Sequence, residues 1–178
     1  MVAGAAALAL AAATVTGCRS DRVEMEWRAV GSAVSGLLMA YDQRHAVLLE
    51  LVRDRDDPLA ASLKAGMSRA RALRPSGDGM TDPALIAFDE AERSLQSGID
   101  ALFARNVAGK DLDALRTAQH ATVVARYQYV VAVDVYNQVA TIFPHNIVAE
   151  HAGRGKLVQL PMVDHGQMPV ETPHSATE

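Results

Sequence analysis

The sequence predicts an all-α protein, an antiparallel up-and-down bundle of three to four long helices. Three observations lead there. Long stretches carry no Pro, apolar residues within them recur alternately three and four apart, and Ala, Leu and Val supply most of the packing while aromatics make up only 4% of the chain. Three-four spacing lines one side of a helix with apolar groups, and small side chains suit close helix–helix contact. After residue 17 the chain is long enough for one domain with a full core. Its net charge of −4 gives no electrostatic reason to expect nucleic acid binding.

The first element is an apolar leader. Residues 2–17 carry no charge and end in Val15-Thr16-Gly17-Cys18, with Arg19, Asp21 and Arg22 directly after. The run is shorter than the roughly 20 residues a helix needs to cross a bilayer core. Small residues before the break fit a peptidase pocket. Cys18, the chain's one cysteine, has no partner for a disulfide but offers a thiol for lipid transfer. The junction resembles the lipobox of a bacterial lipoprotein signal peptide. The resemblance implies that residues 1–17 are removed and that Cys18 becomes the acylated first residue. An uncleaved signal anchor and a plain signal peptide are the competing readings.

The second element is a helix from about Asp21 to Asp54. Val23, Trp27, Val30, Val34, Leu37, Tyr41, Leu48 and Leu51 form a heptad seam in which Arg44 is the one polar member. Gly31 and Gly36 each weaken the helix by up to about 1 kcal/mol relative to Ala and would admit a close neighbour. Asp54-Arg55-Asp56-Asp57-Pro58 interrupts the pattern. Asp57 suits an N-cap and Pro58 a first turn, where no backbone donor is needed. The next helix then runs to about Leu73 with Leu59, Leu63, Met67 and Ala70 on one face.

Pro75-Ser76-Gly77-Asp78-Gly79 reads as a loop. From Thr81-Asp82-Pro83 a further helix is expected to about Arg105. Leu85, Phe88, Leu95, Ile99, Leu102 and Phe103 form its apolar side, and Asp89, Glu90, Glu92 and Arg93 are assigned to a solvated face. Asn106 to Lys110 makes a turn. The last long segment, Asp111 to Ile142, has neither Gly nor Pro. Tyr127 to Tyr136 is rich in β-branched residues, but the uninterrupted run is too long for a strand, so helix is predicted, ended by Pro144. Residues 158–178 are expected to form a disordered polar tail.

The end of that segment supports a more specific reading. Tyr129, Val133, Tyr136-Asn137, Phe143-Pro144, Asn146, Ala149 and Gly153 resemble the C-terminal signature of the LemA family, in which two Tyr-Asn pairs seven residues apart run into Phe-Pro, then Asn, Ala and Gly. Here Val130 replaces the first Asn, and Arg154 stands where an aromatic usually follows the Gly. Trp27 and the stretch Arg44-His45-Ala46-Val47-Leu48-Leu49-Glu50-Leu51-Val52 resemble the family's N-terminal half more loosely, with Ala46, Leu49 and Glu50 replacing its Asp, Pro and Asn. The resemblance spans about Val23 to Gly153, within a domain placed at residues 18–157. It implies a membrane-anchored helical bundle and no enzyme activity or cofactor.

Physically, Tyr129, Tyr136 and Phe143 fall seven apart and would sit in the core with polar tips at its boundary. Phe143 would then plug the bundle end, Pro144 turn the chain, and Asn137 or Asn146 satisfy helix-end carbonyls. The same residues are alternatively a partner-binding patch.

Other chemistry fails on spacing. Asp54, Asp56 and Asp57 hint at a calcium loop, but Leu59 and Ala65 stand where its Gly and Glu belong. Gly153-Arg154-Gly155-Lys156 lacks the remaining elements of a phosphate loop. His145, Glu150, His151, Asp164 and His165 lack helical metal-ligand spacing, so no metal site is assigned. Ser32 and Ser35 form no nucleophile elbow, and His45 and His120 show no acid partner in sequence.

The resulting expectation is a non-enzymatic cell-envelope protein facing the periplasm or exterior. It would be held at the membrane by a lipid anchor, would present a helix face to another envelope protein, and would have no cofactor. The alternative is a ligand- or metal-binding module, or an unrecognised enzyme, because Gln119, Thr122 and Arg126 fall on the seam of the last helix. A dry packed centre would favour the scaffold; convergent buried polar groups around a void would favour the alternative.

Overall fold

The computed structural model describes residues 3–75, 82–105 and 110–160. Among them the chain is helical, with no strand. Its helices are α1 (Ala3–Val52), α2 (Pro58–Leu73), α3 (Asp82–Ser94), α4 (Gln96–Ala104), α5 (Lys110–Thr141) and α6 (His145–His151). None is long and apolar enough to cross a membrane.

The apolar N-terminal stretch forms the start of α1. Beyond it the predicted seam is buried at Val23, Val30, Val34, Leu37, Tyr41 and Leu48 and half-buried at Trp27, while at its end Val52 is fully buried in place of the expected Leu51, which is half-buried. Each such Val or Leu contributes about 1.5–3 kcal/mol by leaving water. The seam packs on α5, and the two helices run in opposite directions: Arg44 meets Gln119, Tyr41 meets Arg126 and Trp27 meets Tyr136. Gly36 has no neighbour where a side chain would be, so it admits no close approach.

Helices α1 and α2 are separate. The Asp57 carboxylate accepts from the backbone N–H groups of Leu59 (2.9 Å) and Ala60 (3.1 Å), satisfying donors that the start of a helix leaves open. Those N–H groups, the Ala60 bond first, and the Arg55 guanidinium hold its pKa below the usual carboxylate value. Lys64 donates to the carbonyls of Arg53 and Arg55, at 3.1 Å each, and so closes the end of α1.

The predicted single helix to Arg105 is two. At Leu95 the bonding tightens to an i→i−3 link, Leu95 N–H to Glu92 O, and α4 starts from there. Leu95 is pressed against α2: a Cβ at Gly66 would lie 2.4 Å from its Cδ2, and a Cβ at Gly98 would lie 2.7 Å from Leu63 Cδ2. Close approach between helices therefore occurs at Gly66 and Gly98.

Helix α5 confirms the helical reading of 127–136 and stops at Thr141. Gly153, at φ +66°, ends α6. Its N–H reaches Glu150 O and the N–H of Arg154 reaches Ala149 O, a Schellman closure that requires the left-handed turn a glycine adopts freely. The chain then returns along α5 as far as residue 160, where Leu157 and Leu160 are buried. The packed part thus extends past residue 157; residues 161–178 lie outside those described.

Candidate functional site between the helices

The acids assigned to a solvated face are the main correction. Asp89 and Glu92 are each 1% exposed, among the most buried groups of the molecule, while Glu90 is on the surface and Arg93 is partly exposed. They turn inward because α1 and α5 bring cations to them. A lone buried charge is costly, and one paired and hydrogen-bonded is tolerated.

Two linked ion pairs result. The Arg126 guanidinium grips Asp89 with both terminal nitrogens, Nη2 at 3.0 Å from Oδ2 and Nη1 on Oδ1. Arg93 adds a third donor to Asp89, from Nε at 3.1 Å. On the other side Arg44 Nη2 donates to Glu92 Oε2, and His45 Nε2 lies 3.1 Å from the same oxygen. His45 therefore has the acid partner that the sequence did not reveal. Arg44 Nη1 donates to Gln119 Oε1 at 3.1 Å, and Gln119 passes the chain on to Gln96 at 2.6 Å. Arg44 Nε is buried without a partner.

Tyr41 joins the two pairs. Its hydroxyl lies 3.5 Å from Asp89 Oδ1 and accepts from Arg126 Nη1 at 3.3 Å. Its ring packs edge-on against Phe88 and carries the Arg44 guanidinium 4.9 Å from its centroid. Burial first, then the Asp89 carboxylate, pushes the phenol up to about 12. Burial opposes the charge on Arg126, but the bond to Asp89 and the nearby Tyr41 outweigh it and its pKa is raised.

The cluster borders a half-open cleft with about 100 Å³ that water can occupy, lined by Tyr41, Arg44, Glu92, Gln96, Gln119 and Arg126 among others. That is room for several waters or a few heavy atoms. The lining holds three guanidiniums, of Arg44, Arg93 and Arg126, and one carboxylate, Glu92, with Asp89 pairing to two of the arginines from outside the lining, so the wall is richer in donors than in acceptors. Thr122, also on the wall, donates its hydroxyl to the backbone carbonyl of Gln119. The arrangement can hold a small acceptor-rich group.

The other predicted residues form a second constellation. Trp27 packs edge-on against Tyr136, ring centroids 5.4 Å apart, and the Arg154 guanidinium sits 5.0 Å over the Trp27 ring. Arg154 also pairs with Glu24, whose pKa this hydrogen bond lowers. Tyr136 donates to Arg154 O at 2.7 Å, and Tyr129 to Val158 O at 3.3 Å. Asn137 makes two hydrogen bonds to the backbone of Leu157: Nδ2 donates to its carbonyl and Oδ1 accepts from its N–H, both at 2.8 Å. These side chains strap the returning segment onto α5, so Asn137 does not serve a helix end. Asn146 Oδ1 is buried without a partner.

Phe143 departs most from expectation. It is 75% exposed, because α5 ends at Thr141 and the heptad stripe ends with it; Pro144 follows in the corner before α6. Phe143 plugs nothing. The backbone of Cys18 belongs to α1, and its side chain lies outside those described. Among the described residues, no His, Cys, Asp and Glu side chains gather in a group of three or more that could hold a metal ion; Asp164 and His165 fall outside them.

Arg44 was visible in the sequence as the one polar member of its seam. Glu92 carried the same signal, since 85, 88, 92, 95, 99 and 102 also alternate three and four. No family model, curated protein or solved structure matches this chain.

Proposed function

We propose that the chain is a membrane-tethered cell-envelope protein of the LemA type, an antiparallel up-and-down helical bundle that acts by binding rather than by catalysis. Cys18 is the lipid-carrying first residue of the mature chain. The observation that carries this reading is the uncharged leader ending in small residues at the only cysteine, continuous with the helix that enters the domain. The joining of Trp27, Tyr136 and Arg154, residues at or beside signature positions, is consistent with it. Acyl labelling and fractionation of Cys18→Ala test it. Released, unlabelled protein is expected; undiminished membrane retention would replace the lipoprotein with an uncleaved anchor.

The cleft favours the ligand-binding form of this proposal over a bare scaffold. A dry centre was the expected mark of a scaffold, and the middle of the molecule instead gathers buried polar groups around a void. With donors in excess, the ligand class is a small anion such as a short carboxylate. Thermal unfolding of the protein with a panel of short carboxylates and inorganic phosphate tests this. A ligand should raise the midpoint, and Gln119→Leu should abolish the rise; no shift with any of them would return the cleft to a structural role.

A further inference from the structure

We propose that the corner between α5 and α6 is a membrane-contact tip, with Ile142, Phe143 and Ile147 entering the headgroup–acyl boundary of the bilayer beside the anchor. This rests on the reading that the N-terminal leader brings the chain to a membrane.

Ile142 is 60% exposed, Phe143 75% and Ile147 45%, so three large apolar side chains lie open within six residues of one corner. Met25, Met39, Leu49 and Leu73 lie singly along the helices, which is ordinary for a protein surface, and Val124, Tyr127 and Val131 line one side of α5, away from its end. A concentrated apolar patch marks a contact site.

The geometry decides which contact. Trp27 lies against Tyr136, and α1 and α5 run in opposite directions. The five helical residues from Tyr136 to the end of α5 at Thr141 cover about 7.5 Å, and the same distance back along α1 from Trp27 reaches Arg22. The corner therefore begins level with Arg22, about one helical turn from Cys18. Whether the anchor is an acyl chain on Cys18 or the leader itself, the bilayer lies at this end. The opposite end, at Asp57 and Arg105, carries an ion pair instead of an apolar corner. Interfacial segments bury apolar groups about 5–10 Å into the boundary, and such burial would add to the hold of the tether.

The test uses the full chain, isolated from membranes and reconstituted in vesicles of phosphatidylethanolamine and phosphatidylglycerol. Acylated Cys18 leaves no other native thiol, so Phe143→Cys takes an environment-sensitive fluorophore alone. Ser62→Cys, exposed on α2, is the comparison. The probe at 143 should emit further to the blue and be quenched several-fold more by spin-labelled lipid than the probe at 62. Equal quenching at both positions overturns the tip while acyl labelling still reports the tether. A blue shift without quenching by lipid also overturns it, in favour of a protein covering the corner. An unlabelled Cys18 and an empty vesicle fraction remove the tether and this proposal together. Ile147→Cys repeats the measurement should the change at 143 disturb folding.

Discussion

The contact of α3 with α1 and α5 pairs buried charges beside the Tyr41–Phe88 ring contact, whereas α2 meets the α3–α4 junction where side chains are missing. At the first, Arg126 and Arg44 reach across to Asp89 and Glu92 and the hydrogen bonds fix which residues face each other. At the second, Gly66 and Gly98 let Leu95 and Leu63 sink into the opposite helix. Both set the register of neighbouring helices, by different physics. The ionic contact is intolerant of losing one member, because what remains is a buried charge. The dry contact is intolerant of gaining an atom, because the leucines that would have to shift are themselves buried.

The largest effect should come from breaking the ionic contact on one side. Arg126→Leu leaves Asp89 buried with the partly exposed Arg93 as its remaining cation and the Tyr41 hydroxyl at 3.5 Å, and unfolding in urea should show a loss of about 3–5 kcal/mol. Adding Asp89→Leu should recover most of that loss, since an apolar pair of similar size replaces the ions without stranding a charge. A loss below about 1 kcal/mol for the single variant would mean that water enters the cluster freely and that the contact behaves as an exposed ion pair.

The same contact has an alkaline signature that the dry one lacks. The Tyr41 phenol is raised from 10.0 to about 12 by its burial and by Asp89, so the folded state holds that proton more tightly than the unfolded chain does. The stability it contributes is complete below about pH 10 and disappears as pH rises through about 12, a total of roughly 2–3 kcal/mol. Absorbance titration of tyrosinate should show Tyr41 ionising late, and Tyr41→Phe should remove that step and flatten the alkaline fall in stability. Ionisation of Tyr41 at the ordinary phenol value would place it in water rather than between the ion pairs.

What the sequence disclosed follows the range of the interactions involved. The Asp57–Pro58 start of α2, the helical nature of 127–136 and the buried seam of α1 depend on residues a few positions apart, and all were readable. Arg44, Gln119, Thr122 and Arg126 were readable as polar residues on apolar seams, yet their partners were not, because Asp89 and Glu92 sit among other acids and looked like a solvated face. Glu92 in fact occupied a seam position, and two arginines on the facing seams required buried acceptors. Phe143 misled for the reverse reason: its spacing continued the stripe, but Pro144 ended the helix before the stripe could reach it. Trp27, Tyr136 and Asn137 stand out in the sequence, whereas their use as holders of the returning segment at 154–158 depends on a chain reversal that no local pattern specifies. The roles of Gly66 and Gly98 depend wholly on how two helices dock.

The dry contact can be sharpened by adding one methyl group at three glycines. Alanine in place of glycine inside a helix contributes up to about 1 kcal/mol from the unfolded chain's lost freedom. At Gly36, exposed and with nothing within 4 Å of the added carbon, that gain should appear in full. At Gly66 and Gly98 the added carbon meets Leu95 and Leu63, which are 3% and 1% exposed and have no free side to turn toward. Overpacking of about 1–3 kcal/mol should there outweigh the helical gain and leave a net loss of roughly 0.5–2 kcal/mol. The sign of the urea-midpoint shift, upward for Gly36→Ala and downward for Gly66→Ala and Gly98→Ala, is the discriminating observation. If all three rise together, the leucines are repacking without cost, and close approach is not what sets the register of α2 on α3 and α4.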